Sequence, residues 1–415
     1  MTKKKMCIAA ACIATIPLAL FMGCAEHTED VVLSSENENV PLVSSRTGIQ
    51  LTDDGIFFGG LLNITFYDFE TRESQVICPL SDCSHSDESC PASFAELGDK
   101  FALYRGDFYA LTERRVDLEW RYVYTFKARS QLDSEWEILW TQQTALPGSV
   151  SVRIWNGYAI ILANEVVSTE EAGVEVVSHS QLVSVELSTN TINMVIPEFE
   201  WEHTGSSYRL IGVADRKAIV WWTGFPEEPT SLTEFAAQNE LTEDEASGAW
   251  IQYFNERRFN KIITIDLDTG ARVEVASGSS EILPSFNYLL GKDIVYRGVI
   301  YFYYNGAITA HSVQSGETWE LLSISNVVNW FVFDGRVFVI ALSESGEVSL
   351  NYYALESGDV YELSSAGSGE NLTFLPLHEN STMFLGFKEG TLHLIYKVDF
   401  YSENFDEAKR LDLRG

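Results

Sequence analysis

Lys261-Ile-Ile-Thr-Ile-Asp266-Leu-Asp-Thr-Gly270-Ala-Arg-Val-Glu-Val-Ala276 is the stretch that decides the fold. A β-branched strand runs into a polar turn, and a shorter strand follows it. Gly270 stands late in the turn, where a hairpin needs a positive φ. The same turn recurs as Asp68-Phe-Glu-Thr-Arg-Glu73, Glu186-Leu-Ser-Thr-Asn190, Ser312-Val-Gln-Ser-Gly316 and Ala354-Leu-Glu-Ser-Gly358. Earlier in several units another strand is launched by Asp-Gly or Asn-Gly, as at Asp54, Asn156 and Asp334.

Four antiparallel strands in every roughly 40–50 residues mark a β-propeller blade. The chain is therefore expected to be all-β, a propeller of seven four-stranded blades. They fall at about 46–78, 93–140, 148–196, 207–276, 284–323, 327–364 and 372–413. The turns at 130–134 and 401–405 are degenerate, so six or eight blades are the alternatives. Trp155, Trp319, Trp330 and Tyr301 to Tyr304 are expected to fill the wedges between blades. With strands lettered A to D outward from the channel, the recurrent turns are C–D turns. The long deviations, 79–92, 164–179 and 225–258, fall in B–C or D–A connections. All elaboration is thus expected on one face, where function tends to sit.

The insertion in blade 4, 225–258, reads as helical. Ser231-Leu-Thr-Glu234 and Thr242-Glu-Asp-Glu245 are both capping boxes. Trp222, Trp250, Tyr253, Phe254, Arg257 and Arg258 are the candidate binding-face residues. The competing reading is a helix that only covers the rim, with Trp250 and Phe254 buried beneath it.

The chain opens with Lys3, Lys4 and Lys5, then an apolar run from Ile8 to Met22 that contains Pro17. That run is short for a bilayer span, which takes about 20 residues. It ends Leu20-Phe21-Met22-Gly23-Cys24, a lipobox-like sequence. Residues 1–23 are expected to be a lipoprotein signal peptide, with Cys24 lipidated. Residues 24–45 then form an acidic tether, and 46–415 form the propeller. The expected location is the extracytoplasmic face of a cell membrane, on a Gram-positive surface, held by the lipid. The whole chain carries a formal charge of −32. Without the three leader lysines, 25 basic residues remain against 60 acidic ones, a net of −35. So acidic a chain has no basic excess to displace phosphate counterions, which excludes nucleic acid as a partner.

Three of the six cysteines remain in the body, all in Cys78-Pro-Leu-Ser-Asp-Cys83-Ser-His85-Ser-Asp-Glu-Ser-Cys90. Three thiols and an imidazole on one short loop suit a tetrahedral structural zinc. The alternative is one disulfide with a third cysteine left over, which an oxidising exterior favours. This loop, 78–92, follows an Asp-Gly strand and a Tyr-Asp-x-x-Thr hairpin. Together with the leader and the general repeat, it resembles cell-surface lipoproteins of Gram-positive anaerobes with TolB-like propellers. The resemblance implies a surface location and a propeller body, and it implies no reaction.

No Gly-x-Ser-x-Gly elbow, His-Glu-x-x-His motif, P-loop or dinucleotide fingerprint is present. Ser312 to Trp319 forms a degenerate Asp-box, with Gln314 in the place of Asp. The expectation is a protein that is not an enzyme: a monomeric propeller that binds a ligand, surface protein or glycan. The alternatives are a surface hydrolase or lyase acting on glycan or peptide, and a metal or redox sensor working through the Cys/His loop.

Overall fold

The computed structural model describes residues 39–411 apart from 45–47, 60–62, 87–89, 94–98, 116–121, 131–134, 145–148, 170–174, 201–206, 225–229, 280–293, 325, 343–347, 364–373 and 390. The leader and Cys24 lie outside these residues. Seven antiparallel sheets follow one another along the chain; each has four strands in sequence order, and two carry a fifth strand from the N-terminal residues. This is the expected seven-bladed propeller. The innermost strands are Ile49–Leu51, Lys100–Tyr104, Ser149–Trp155, Ser207–Ala214, Val295–Tyr296, Val327–Phe333 and Leu375–Glu379.

The turns explain why the sequence folds this way. Asn156 (φ 45) and Gly157 (φ 82) make the A–B turn of blade 3, and Asp334 (φ 48) and Gly335 (φ 65) make that of blade 6. Two consecutive positive φ values match the right-handed strand twist. In the C–D turn, Asp266 Oδ1 accepts the backbone N–H of Asp268 at 3.1 Å and of Thr269 at 2.8 Å. Asp68 accepts from Glu70 and Thr71 in the same way. These bonds hold both carboxyls below the ordinary range, the Thr269 and Thr71 contacts contributing most.

Aromatic wedges hold the blades together. Between blades 6 and 7, Phe331, Phe338, Phe374, Phe384, Phe400 and Phe405 form one buried cluster. Trp155, Trp330 and Tyr301 are buried as expected. Trp319 is not: strand Thr318–Ser323 is the outer edge of blade 5, and the ring is 41% exposed.

Two departures concern the ends of the chain. Residues 39–44, expected to be tether, form two short strands. Asn39–Pro41 pairs with the inner strand of blade 3, and Val43–Ser44 with that of blade 2. Both run antiparallel to those strands, and Leu42 between them is buried with the apolar residues of blades 2 and 3. Among the described residues, blades 1 and 7 exchange no strand. Side chains join them instead: Asn380 Nδ2 donates to Thr52 O at 2.9 Å, Ser381 Oγ to Asp53 Oδ1 at 2.8 Å, and Ile56, Leu385 and Leu394 pack behind.

The expectation that all elaboration lies on one face also fails. The C–D connection of blade 7 holds a helical turn, Lys397–Tyr401, and a 3₁₀ turn, Phe405–Glu407. Phe400 and Phe405 anchor these turns in the blade 6–blade 7 wedge. Elaboration therefore occurs on both faces. The 164–179 segment is a lengthened hairpin, with strands Tyr158–Thr169 and Glu175–Glu186 paired throughout. Among the described residues, no helix is long and apolar enough to cross a membrane.

Candidate functional sites

The Cys/His loop leaves the outer strand of blade 1 and leads to blade 2. Asn63 Nδ2 donates to His85 O at 2.8 Å, and Ile64 N to Ala92 O at 3.2 Å, so strand C of blade 1 supports both halves of the loop. His85 takes a positive φ of 55, which turns the chain back towards the cysteines. From blade 2, Trp136 Nε1 donates to Pro91 O at 3.3 Å. The donor atoms of Cys78, Cys83, His85 and Cys90 all lie within 4.8 Å of one another. His85 Nδ1 is 3.5 Å from Cys90 Sγ. A tetrahedral zinc about 2.3 Å from each sulfur sets sulfurs about 3.8 Å apart, so this donor set fits that ion with small adjustments. Cys90 is buried and the other three are half-buried. Burial pushes the Cys90 thiol up to about 12, with the Cys83 and Cys78 sulfurs adding to the rise. The four ligands foreseen in the sequence are thus brought together.

The blade 4 candidates fare differently. Trp222 is 1% exposed in the wedge between blades 3 and 4, so it is core and not a binding platform. The strand pleat points it inward, while Trp221 donates Nε1 to Asn260 Oδ1 at 3.1 Å. Helices α1 (Leu232–Gln238) and α2 (Glu243–Glu256) form where the capping boxes stand. Glu234 returns a bond to Ser231, and Glu245 to Thr242. Trp250 Nε1 donates to Thr230 O at 2.9 Å, and Tyr253 Oη to Thr230 Oγ1 at 3.0 Å. Tyr253 also packs on Phe235 with ring centroids 5.0 Å apart. These two aromatics tie the helical pair together. Arg257 and Arg258 are exposed just beyond α2, with Arg257 over the Tyr253 ring at 4.0 Å. The side chain of Phe254 lies outside the described set.

A second cluster, unmarked by any motif, spans blades 6 and 7. Asp334 sits in the A–B turn of blade 6, and Glu379 at the end of strand A of blade 7. Lys397 and Tyr401 come from the helical C–D connection. Lys397 Nζ lies 2.9 Å from Asp334 Oδ1 and 2.7 Å from Glu379 Oε2. Tyr401 Oη donates to Asp334 Oδ2 at 2.9 Å, and Arg336 Nη1 to the same oxygen at 2.6 Å. The Arg336 guanidinium stacks on the Tyr401 ring at 4.0 Å. Burial pushes Glu379 above the ordinary carboxyl range, with Lys397 pulling it back down. Burial, and then the charge of Asp334, raises Tyr401. Asp334 and Arg336 keep side-chain exposures of 29% each, so solvent reaches the cluster. The sequence signal was weak: Asp334-Gly335 was legible as a turn, but its blade 7 partners lie 45 to 67 positions away. Between blades 3 and 4, a cleft of about 110 Å³ lined by Tyr158, Glu186, Arg216 and Asp268 is too small for a peptide or sugar.

No protein-family model and no curated protein matches the chain. Solved structures do. Over 91% of this chain, the architecture is similar to 53% of an acylaminoacyl peptidase from Pyrococcus horikoshii, at 10% identity and a TM-score of 0.47. Over 89%, it is similar to 60% of dipeptidyl peptidase 4 from Porphyromonas gingivalis, at 8% identity and 0.46. Over 91%, it is similar to 99% of the propeller domain of the Trilobed protease from Pyrococcus furiosus, described as having an open velcro topology, at 11% and 0.44. The chain spans about half the length of the first peptidases it matches. These likenesses are of fold. The sequence reading that this chain is not an enzyme does not stand: it rested on missing motifs alone, which exclude no activity, and the matched chains include peptidases.

Proposed function

We propose that this protein is a lipid-anchored extracytoplasmic propeller that processes a peptide or glycan by hydrolysis or elimination. The Asp334–Glu379–Lys397–Arg336–Tyr401 cluster is its reactive centre, and the Cys/His loop holds a structural zinc. The observation that supports the reading is the convergence of two carboxyls on one ammonium, beside an arginine and a tyrosine, at solvent-accessible turns. Glu379 is the member that burial biases toward carrying a proton, which suits a general acid. Asp334, accepting from three donors, is the oxygen pair that would take a proton from water or substrate. Arg336 offers a fixed fork for a substrate carboxylate. Cys24 supplies the anchor, and the acidic body stays in solvent. Zinc supplies a cross-link between four loop positions, with no open position for chemistry.

The test is turnover by the mature chain of a panel of aminoacyl and peptidyl p-nitroanilides and nitrophenyl glycosides. Asp334→Asn and Glu379→Gln are each expected to lower the rate on the responding substrate by about 10²-fold or more with the near-ultraviolet spectrum unchanged. Equal rates in wild type and both variants would remove this cluster from the chemistry.

A further inference from the structure

Arg129 is the side chain in the Cys/His region that the loop sequence does not announce. It stands near the end of strand C of blade 2 (Tyr122–Ser130), 39 to 51 positions from the cysteines. Its residue exposure is only 4%. The guanidinium lies between two rings, 5.6 Å from the Phe108 centroid and 4.7 Å from that of Trp136. Trp136 is the residue that also bonds to Pro91 of the loop. Arg129 Nη2 donates to the carbonyl of Ile77, next to Cys78, at 3.2 Å. Its Nε and Nη1 are buried with no hydrogen-bond partner. No carboxylate among the described residues pairs with it; the groups that favour its charge are Cys78 and Cys90, while Lys127, over the same Trp136 ring at 4.5 Å, adds a second cation nearby.

A buried guanidinium with two unpartnered donors is costly unless a negative charge faces it. The sulfurs are the groups present, and their chemical state decides whether they supply that charge. A disulfide plus a neutral thiol supplies none. Three thiolates and a neutral imidazole on a divalent ion carry a net charge of −1. We infer that Arg129 is the fixed counter-ion of a zinc–tris-thiolate centre at Cys78, Cys83, His85 and Cys90. It docks that centre against blade 2 by charge, while Trp136 holds the loop backbone. The inference rests on the zinc reading above and adds that the site is built for an anionic complex. The same juxtaposition makes the disulfide alternative the poorer fit to this structure. Arg129 acts through the ligands and is a positioning residue, comparable to the outer partners that tune metal sites elsewhere.

The test measures zinc affinity by competition with a chromogenic chelator, using the mature chain with its thiols reduced. Arg129→Gln is expected to weaken zinc by about 10- to 100-fold. Arg129→Lys, which keeps the charge, is expected to stay within a few-fold of wild type. A simple packing role would not produce that rescue. Zinc bound as tightly by Arg129→Gln as by wild type overturns the counter-ion role and leaves the zinc reading intact. So does Arg129→Lys binding as poorly as Arg129→Gln. Wild type that takes up no zinc with three free thiols, or that holds a disulfide after mild isolation, overturns the zinc reading and the counter-ion with it. If Arg129→Gln loses its near-ultraviolet signature, Arg129→Met, which fills the same ring sandwich, is held to the same outcomes.

Discussion

The sulfur cluster at the blade 1–blade 2 junction and the carboxylate cluster at the blade 6–blade 7 junction are built in opposite ways. The first takes all four candidate ligands from 13 consecutive residues, and the fold adds only supports: Asn63, Trp136 and Arg129. The second gathers Asp334 and Arg336 from a turn of blade 6, Glu379 from a strand end of blade 7, and Lys397 and Tyr401 from the C–D connection of blade 7, and the packed wedge beneath sets where these pieces meet. A local site depends on its loop, and a dispersed site depends on the whole junction. Disturbing the core should therefore separate the two.

The largest effect expected is at the loop itself. Cys90→Ser should remove essentially all zinc binding, because three ligands with one site open to solvent no longer make a closed structural centre. Zinc content per chain after dialysis measures this, and the carboxylate cluster should be unaffected. Next is Phe400→Ala. Phe400 is fully buried against five aromatic rings, so the change should cost about 3–5 kcal/mol of stability by denaturant melt. It should also release Lys397 and Tyr401 from Asp334 while leaving zinc affinity unchanged. If zinc affinity falls equally, the two junctions are not independent.

Lys397→Met comes third. It leaves Asp334 and Glu379 without their shared cation, in surroundings where Lys397 is 13% exposed. About 1–3 kcal/mol should be lost, less than for a fully buried pair because solvent reaches Asp334. The smallest effect is a pH slope. Glu379 has a raised pKa in the folded state, so the folded form holds its proton more tightly than the unfolded form does. Its contribution is fully present below the unfolded value of about 4.5 and falls as pH rises through the folded value. The stability of Glu379→Gln relative to wild type should therefore improve from pH 4 to pH 7. A flat difference would show that burial does not raise this group.

The two clusters also differ in how far they could be read beforehand. Repeated Asx-type turns and Asn-Gly or Asp-Gly steps are local chemistry, and they gave the seven blades. Ser231 and Thr242 with their paired glutamates marked α1 and α2 for the same reason. The ligands Cys78, Cys83, His85 and Cys90 were legible because loop spacing alone makes them neighbours. Trp222 and Trp319 were misread because a pleated strand alternates faces, and which face is core depends on the adjoining blade. The strands at 39–44 were missed because their partners are the open inner edges of blades 2 and 3, invisible in a polar, acidic segment. The helical C–D connection of blade 7 was taken for a degenerate turn, since five helical residues carry too little periodicity to show.

What the sequence determined by itself was the repeat, its turns, the capped helices and the four donors of the loop, all set by interactions within a few residues. Only the tertiary structure decided the rest. It brought Arg129 to the sulfurs, Lys397 to two carboxyls, and the N-terminal strands into the ring. Each of these depends on contacts between blades distant in sequence, where burial and charge compensation, and not local propensity, select the partner.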